Sequence, residues 1–310
     1  MNTTLPTNIT DRPVAVVGAG TLGRRIAAVF SSAGSTVTIV DTDAGQRDGA
    51  LRYVAEQISA LAPRSGRTPG EVSADADVES AVPGAWLVIE AVPERLDVKR
   101  PLFGVLDRVA DPDAILATNS SSYVSRLVVD EVTHRNRVLN MHFAMPPQNM
   151  AVELMSDGET DPAVIDFLVA RLPDFGLLPF VARKESTGFI FNRIWAAIKR
   201  ESLEVVAEGV CTPQEVDAIM VANLAIAEGP FRLMDRVGLD IVLDIEDHYA
   251  AENPHLPEGP RRLLHEYVDS GRLGVKAGEG FYKWPEGSAV RDSSTDGRRR
   301  RVRRGGRVTS

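Results

Sequence analysis

The sequence is poor in cysteine and has no long apolar run. Cys211 is the single cysteine among 310 residues, so the chain cannot form an internal disulfide, and a reducing cytoplasm suits it best. No apolar run approaches the roughly 18 residues that a membrane-spanning helix needs. The polar segment 1–12 also lacks the basic-then-apolar order of a signal peptide. We therefore expect a cytoplasmic protein without a membrane segment.

Histidine is also scarce, and much of the basic charge lies at one end of the chain. The histidines other than His142 show no metal-ligand spacing, so we expect no metal site. The net charge is −8, and residues 297–310 hold seven arginines and no acidic residue, which leaves −15 for residues 1–296. The strongly negative charge of residues 1–296 argues against nucleic-acid binding. The arginine-rich tail, residues 287–310, is too polar to pack, and we expect it to be disordered.

Short apolar runs alternate with helical patterns through the first 180 residues. Strand-like runs occupy residues 14–17, 37–40, 86–89, 114–116, 138–141, 152–155 and 177–181, and helical stretches lie near 44–62, 95–110 and 162–172. This alternation predicts βαβ units with a mostly parallel sheet, an α/β Rossmann-like fold. Beyond residue 185 the patterns are helical only, with one long helix predicted over 189–208. We therefore predict a dinucleotide-binding domain at 1–184 and an all-α domain at 185–286.

A glycine-rich turn follows the first predicted strand and precedes a predicted helix. Gly18 permits a tight turn, Gly20 lets a pyrophosphate approach the backbone, and Gly23 allows close packing of helix on strand. The helix that begins at Thr21-Leu22 offers free N–H groups to phosphates. Asp41, which ends the second strand, can accept the ribose hydroxyls and would repel a 2′-phosphate. The motif therefore predicts an NAD site.

Polar residues suited to handling a hydroxyl proton follow later strands. Segment 118–122 reads Thr-Asn-Ser-Ser-Ser after an apolar strand, His142 ends another strand, and Glu153 lies shortly beyond it. Histidine suits general-base catalysis near neutral pH, and a carboxylate can hold it in one tautomer. Hydroxyl and amide donors such as Asn192, near the start of the long helix, can fix a substrate oxygen.

Six segments resemble the 3-hydroxyacyl-CoA dehydrogenase family in their order and spacing, over roughly residues 13–284. They read VAVVGAGTLGRRIA, TNSSS, HF…VE, STGFIFNR, GPFRLMDRVGLD and GVKAGEGFYKW. The resemblance implies an NAD-dependent enzyme that moves a hydride between C3 of a 3-hydroxyacyl substrate and the nicotinamide. It also implies a homodimer formed through the C-terminal helices, with a small-molecule substrate as the other partner.

The resemblance also implies roles for the catalytic residues. His142 matches the general base and Glu153 its carboxylate partner. Ser121 matches the hydroxyl that contacts substrate and cofactor, although it could instead be a helix N-cap. Asn192 matches the amide that orients the substrate, although it could merely brace the helix.

Further matches concern the cofactor. Glu94 and Lys99 match residues lining the nicotinamide side, Asn119 and Ser121 belong to the TNSSS segment beside them, and Lys276 matches a lysine that reaches the cofactor region. Glu94 and Lys99 could alternatively form a pair on a helix surface, and Lys276 could be a solvated loop residue.

Two departures from the family pattern leave the substrate open. Met145 stands where the family has an asparagine near the nicotinamide. Segment 42–85 is short, and only a stub around residues 53–67 is expected in place of the helical hairpin that covers CoA. Residues 181–189 resemble a sister branch that oxidises free 3-hydroxy acids such as L-gulonate and L-carnitine. We favour a thioester on CoA or a carrier protein over a free acid. A non-catalytic NAD sensor is a remoter alternative, because His142 and Glu153 are both present.

Overall fold

The structure is a computed structural model that describes residues 3–285, apart from the side chains of residues 64 and 65. The predicted arginine-rich tail at 287–310 lies outside the described residues. The chain divides into two compact units, Met1–Arg193 and Ile194–Ser310. This division lies nine residues after the predicted boundary between 184 and 185.

An eight-stranded sheet forms the centre of the first unit, in the order β3-β2-β1-β4-β5-β6-β7-β8. Its strands are β1 (Val14–Val17), β2 (Val37–Val40), β3 (Val72–Asp75), β4 (Leu87–Glu90), β5 (Ile115–Thr118), β6 (Val138–Met145), β7 (Asn149–Met155) and β8 (Leu178–Ala182). All neighbouring strands pair in parallel except β6 and β7, which are antiparallel. The predicted α/β Rossmann-like fold is confirmed.

Ten α-helices are described over residues 3–285. The first unit contains α1 (Thr21–Ser32), α2 (Ala44–Ser65), α3 (Val78–Ala81), α4 (Leu96–Val109) and α5 (Pro162–Arg171). Helix α6 (Phe191–Ala207) begins in the first unit and continues into the second, which also contains α7 (Pro213–Leu224), α8 (Pro230–Val237), α9 (Leu239–Glu252) and α10 (Gly259–Val268). No strand is described in the second unit, and the predicted all-α C-terminal domain is confirmed.

The central strands are apolar throughout because both faces of the sheet are buried. Val16 of β1 packs into a core with Phe30 of α1, whereas its neighbour Ala15 packs into the opposite core with Phe103 of α4. This double burial explains why the strands could be recognised as continuous apolar runs. Because β1, β2, β4, β5 and β6 are parallel, their carboxyl ends lie at one edge of the sheet, where the site lies.

Segment 42–85 contains the long helix α2. Asp43 caps α2 by accepting a hydrogen bond from the Gln46 N–H, and the helix runs for 22 residues until Gly66 adopts a left-handed conformation. Tyr53 and Val54 join the core beneath it. The helix predicted near 44–62 is confirmed; residues 53–65, where a short remnant of a helical hairpin was expected, form the second half of this single helix.

Buried carboxylates stabilise the second unit and explain two of its recognised segments. Asp235 of α8 is fully buried and accepts hydrogen bonds from the N–H groups of Phe281 and Tyr282 and from the indole of Trp284, at 2.8–2.9 Å. Burial raises the pKa of Asp235, although these hydrogen bonds oppose the increase. Asp217 of α7 similarly accepts from the Phe231 N–H and from the hydroxyl of Tyr282. The GPFRLMD and GEGFYKW segments therefore hold this unit together.

None of the helices described over residues 3–285 has the length and apolar character that crossing a bilayer requires.

Candidate active site

A cleft of about 630 Å³ opens at the carboxyl ends of β1, β2 and β4. It lies where the strand order reverses, which is where open α/β sheets bind their ligands. Its walls are formed by the glycine-rich turn, the end of β2 and the segment after β4; they include Gly18, Gly20, Asp41, Gln46, Val92 and Pro93.

The three glycines of the turn have different surroundings. Gly18 has φ +108°, and a Cβ there would lie 2.5 Å from the Ala91 carbonyl oxygen. A Cβ on Gly23 would lie 1.8 Å from the Gly18 carbonyl oxygen, so these two glycines allow close packing inside the protein. A Cβ on Gly20 would meet no protein atom within 4 Å. The room above Gly20 is what a pyrophosphate needs in order to approach the backbone.

The groups around this room suit a dinucleotide. Helix α1 begins at Thr21 without a side-chain cap, so the N–H groups of Thr21 and Leu22 remain available for phosphate oxygens. Asp41 is fixed by the N–H groups of Ala19 (2.8 Å to Oδ2) and Asp43 (2.9 Å to Oδ1). Each carboxylate oxygen can still accept a ribose hydroxyl. The residues present therefore fit NAD.

The structure brings the predicted catalytic pair together. His142 of β6 lies directly opposite Glu153 of β7, and His142 Nδ1 is 3.1 Å from Glu153 Oε2. Both side chains are buried, with 8% and 6% of their residue surface exposed. Because a carboxylate accepts hydrogen bonds, Nδ1 carries the proton and Nε2 keeps a lone pair. The pair can therefore accept a proton at Nε2.

The other oxygen of Glu153 binds the start of α6. Oε1 accepts hydrogen bonds from the N–H groups of Ile190 (2.8 Å) and Phe191 (2.9 Å). Burial would raise the pKa of Glu153, but the hydrogen bonds from His142 and these two N–H groups outweigh it and lower the pKa below its usual value. Glu153 therefore stays charged at neutral pH and can stabilise an imidazolium on His142.

Phe189 is a site residue that the sequence pattern did not indicate. The pattern assigned it to the apolar face of the long helix, but the helix begins two residues later. Phe189 has φ +54°, and its ring stacks on His142 with 5.1 Å between centroids. A left-handed conformation is costly for so bulky a residue. The stacking and the contacts to Glu153 keep residues 189–191 with the first unit, which explains the late domain division.

Glu90, also missed from sequence, is a buried centre of hydrogen bonds beneath the cleft. It ends β4 and accepts from the Val92 N–H (2.8 Å), the Thr118 hydroxyl (2.7 Å) and the Lys99 ammonium (2.6 Å). Lys99 is 1% exposed and also lies 3.1 Å from Glu94 Oε2. The structure thus places Lys99 inside a buried ion-pair network. There it supports the loop after β4 and has no open surface toward the cleft.

Glu94 and the serine segment are joined to each other. Glu94 accepts hydrogen bonds from the Ser120 hydroxyl and from the Ser122 N–H. Ser120, which is buried, also accepts from the Tyr123 N–H at 2.7 Å, so it is Ser120 that caps this turn. The neighbouring Ser121 is exposed and its hydroxyl has no described protein partner.

The remaining predicted residues have different locations. Asn119 Oδ1 accepts from the N–H of Phe143, the neighbour of His142, at 3.0 Å. Asn192 is half-buried in the first turn of α6, next to the N–H groups that bind Glu153. Lys276 belongs to the second unit, where its ammonium pairs with Asp240. Its contact with the cofactor stays a prediction. Among residues 3–285, no group of three potential metal ligands is found.

Two family models match the chain. That described as 3-hydroxyacyl-CoA dehydrogenase, NAD binding domain, matches residues 13–186, and that described as 3-hydroxyacyl-CoA dehydrogenase, C-terminal domain, matches residues 188–284. The 3-hydroxyacyl-CoA dehydrogenase-like protein LAM1 of Cochliobolus heterostrophus is 46% identical over 159 residues, which are 50% of this chain and only 33% of that relative.

Two further similarities extend over most of the chain. The 5-formyl-3-hydroxy-2-methylpyridine 4-carboxylate 5-dehydrogenase of Mesorhizobium japonicum is 29% identical over 281 residues, which cover 87% of this chain and 90% of that protein. The crystal structure of (S)-3-hydroxybutyryl-CoA dehydrogenase PaaH1 from Ralstonia eutropha matches with a TM-score of 0.80 at 28% identity. The match covers 89% of this chain and 99% of the PaaH1 chain.

Proposed function

Because the chain belongs to the 3-hydroxyacyl-CoA dehydrogenase family, whose members are NAD-dependent oxidoreductases acting on CH–OH groups, we propose that it interconverts a 3-hydroxyacyl thioester and its 3-keto form. The acyl group is carried by CoA or by a carrier protein. The observation that carries this proposal is the buried His142–Glu153 pair, because it provides a base whose second nitrogen remains available.

NAD supplies the nicotinamide carbon that accepts or donates the hydride. The chain's own residues bind and orient: the room at Gly20 and the N–H groups of Thr21 and Leu22 hold phosphates, and Asp41 holds a ribose. His142 Nε2 takes the proton from the 3-hydroxyl in oxidation and returns it in reduction. Glu153 keeps the imidazole oriented and stabilises its charged form.

Two further polar groups, one exposed and one half-buried, complete the proposed site. Ser121 presents a hydroxyl with no described protein partner, and Asn192 presents an amide beside the end of the dyad. We assign them to the substrate oxygen, which needs donors as its charge changes. The network of Glu90, Lys99 and Glu94 fixes the position of the serine segment.

The role of His142 is tested by His142→Gln. We expect kcat for NADH oxidation with acetoacetyl-CoA to fall about 10²–10⁴-fold, with the NADH dissociation constant nearly unchanged, because the variant loses proton transfer alone. His265→Gln, an exposed histidine of α10, is the matched control and should retain full activity. Near-wild-type turnover of His142→Gln would remove this residue from the mechanism.

A free 3-hydroxy acid is the second candidate substrate. It is favoured by the relative from Mesorhizobium japonicum, whose name describes a substrate that is a free carboxylate. Initial rates with acetoacetyl-CoA and with acetoacetate, measured side by side with NADH, discriminate the two. A higher kcat/KM for the thioester supports the first proposal, and a higher value for the acid replaces it. Activity with neither substrate, while NADH still binds, would favour the sensor alternative.

We also propose that the protein is a homodimer joined through the second unit. Several large apolar side chains of this unit are exposed, which is unusual for a monomer surface when they are contiguous. Those on α7 and after it include Ile219, Val221, Leu224 and Ile226, with 61% of Ile219 and 58% of Leu224 exposed. A partner copy would bury them.

A further inference from the structure

Two consecutive arginines of α1 converge on one aromatic ring of α2. The guanidinium carbon of Arg24 lies 4.9 Å from the centroid of the Tyr53 ring, and that of Arg25 lies 5.6 Å from the same centroid. Tyr53 is buried, so its ring is a rigid platform for both groups. The positive charges of Arg24 and Arg25 are therefore held close together and partly shielded from water, although like charges repel.

Arg24 has no acidic partner to offset this repulsion. Among the described residues it makes no ion pair and no side-chain hydrogen bond, and its Nε is buried without an acceptor. Two other arginines of the first unit, the half-buried Arg12 and the buried Arg137, do have carboxylate partners, Asp113 and Asp107 respectively. A half-buried guanidinium without an acceptor is stabilised by an added oxyanion, which its planar donors match well.

Arg25 connects this place to the catalytic strand. Its Nη1 donates to the Pro146 carbonyl oxygen (3.0 Å) and to Gln148 Oε1 (2.8 Å), both in the turn between β6 and β7. His142 lies on β6 four residues before Pro146, which is about 14 Å of strand. A thioester whose extended carrier arm leaves His142 along this strand can therefore reach the arginines, whereas a small acyl group cannot.

We propose that Arg24 and Arg25, stacked on Tyr53, form a subsite for an oxyanion of the substrate. The inference rests on the proposed function, since it takes the substrate to be the one that reacts at His142. The oxyanion is a phosphate on the carrier arm of a thioester, because the carboxylate of a free 3-hydroxy acid is only two bonds from the reacting carbon and cannot span this distance. The phosphates of the cofactor are assigned to the N–H groups of Thr21 and Leu22 instead.

Equilibrium binding tests the subsite without turnover. The variant is Arg24→Gln, and the matched control is Arg108→Gln, an exposed arginine of α4. The probes are 4′-phosphopantetheine and pantetheine, which differ by the phosphate alone. NADH is titrated as well. Loss of a charge-assisted hydrogen bond should weaken the binding of 4′-phosphopantetheine about 10- to 100-fold and leave the binding of pantetheine unchanged.

The outcome identifies the oxyanion. Weaker binding of 4′-phosphopantetheine alone assigns the oxyanion to a phosphate, and Arg24→Lys should restore part of the loss. The proposal is overturned if both probes weaken equally, if neither weakens, or if NADH binding is what changes. Because no rate is measured, the result stands apart from the His142→Gln test.

Discussion

At the scale of single residues, Glu153 joins three parts of the first unit. Its two oxygens bind the imidazole of His142 and the first N–H groups of α6. A carboxylate at a helix N-terminus gains from the helix dipole as well as from the hydrogen bonds. The same side chain therefore orients the imidazole of His142 and anchors the helix that carries Asn192.

The lowered pKa of Glu153 predicts a pH-dependent contribution to stability. A carboxyl group whose pKa is lower in the folded state stabilises the fold above its unfolded pKa of about 4.3, and this contribution is lost as the pH falls through the folded value. Glu153→Gln should therefore lower the free energy of unfolding by about 1–3 kcal/mol at pH 7 and by less at pH 4.

Urea denaturation at the two pH values measures this difference. Glu56→Gln, on the exposed surface of α2, serves as the control and should change the free energy of unfolding little at either pH. An equal loss for Glu153→Gln at pH 7 and pH 4 would contradict the account of its pKa.

The residue types of the site were predictable, but some of their neighbours were not. His142 and Glu153 could be proposed from the chemistry they offer. Glu90 was missed because an acidic residue at the end of an apolar strand is not distinctive in a sequence. Its role is visible only once Lys99 and Thr118 are known to donate hydrogen bonds to it. Phe189 was missed because its positive φ follows from packing on His142, which no helical periodicity reveals.

At the scale of secondary structure, an apolar sequence decided which strands could be predicted, even for the partly exposed edge strand β8. Seven of the eight strands were expected, since they are apolar at nearly every position. Strand β3 (Val72–Asp75) was missed because it is a half-exposed edge strand with the mixed sequence VSAD. The pairing of His142 with Glu153 also needed the structure, because the strand register shifts between Phe143 and Met145.

The glycine turn predicts opposite effects for two similar substitutions. Gly20→Ala should change the free energy of unfolding by no more than about 1 kcal/mol, because the added Cβ meets no protein atom. The same substitution should weaken NADH binding at least about tenfold, because the methyl group takes up the space of the pyrophosphate. Gly23→Ala should destabilise the fold by several kcal/mol, because its Cβ overlaps the Gly18 carbonyl oxygen.

Thermal or urea unfolding together with an NADH titration separates the two effects. Gly209→Ala is a control for substitution alone, since it lies in the second unit and a Cβ there meets no atom, although its φ of +76° costs about 1 kcal/mol. Tight NADH binding by Gly20→Ala would show that the phosphates lie elsewhere.

At the scale of the whole molecule, the two-unit organisation was predictable because the sequence changes from alternating strands and helices to helices alone. The location of the division was harder to predict. Its position after Arg193 depends on hydrogen bonds from residues 190 and 191 to Glu153, which are formed only in the folded chain. Cys211 is a half-buried free thiol, and the cytoplasmic location expected from it stays a prediction.

The proposed dimer predicts the effect of a charge on α7. Ile219→Glu should shift the protein from dimer to monomer in sedimentation experiments, because a carboxylate buried at an apolar interface loses its hydration. Val169→Glu places the same charge on the exposed surface of α5 in the first unit and should leave the mass unchanged. A wild-type protein that sediments as a monomer at micromolar concentration would contradict the proposed dimer.

The hairpin of β6 and β7 has a consequence for how relatives of this chain can diverge. Residues added at its tip, 146–148, leave every strand partner in place, whereas one residue added between Ala151 and Glu153 turns the carboxylate to the opposite face of the sheet. Insertions at the tip therefore keep the strand register, although they alter the acceptors that Arg25 binds there. Changes at the tip can therefore accumulate in related chains while the His142–Glu153 pair is inherited unchanged.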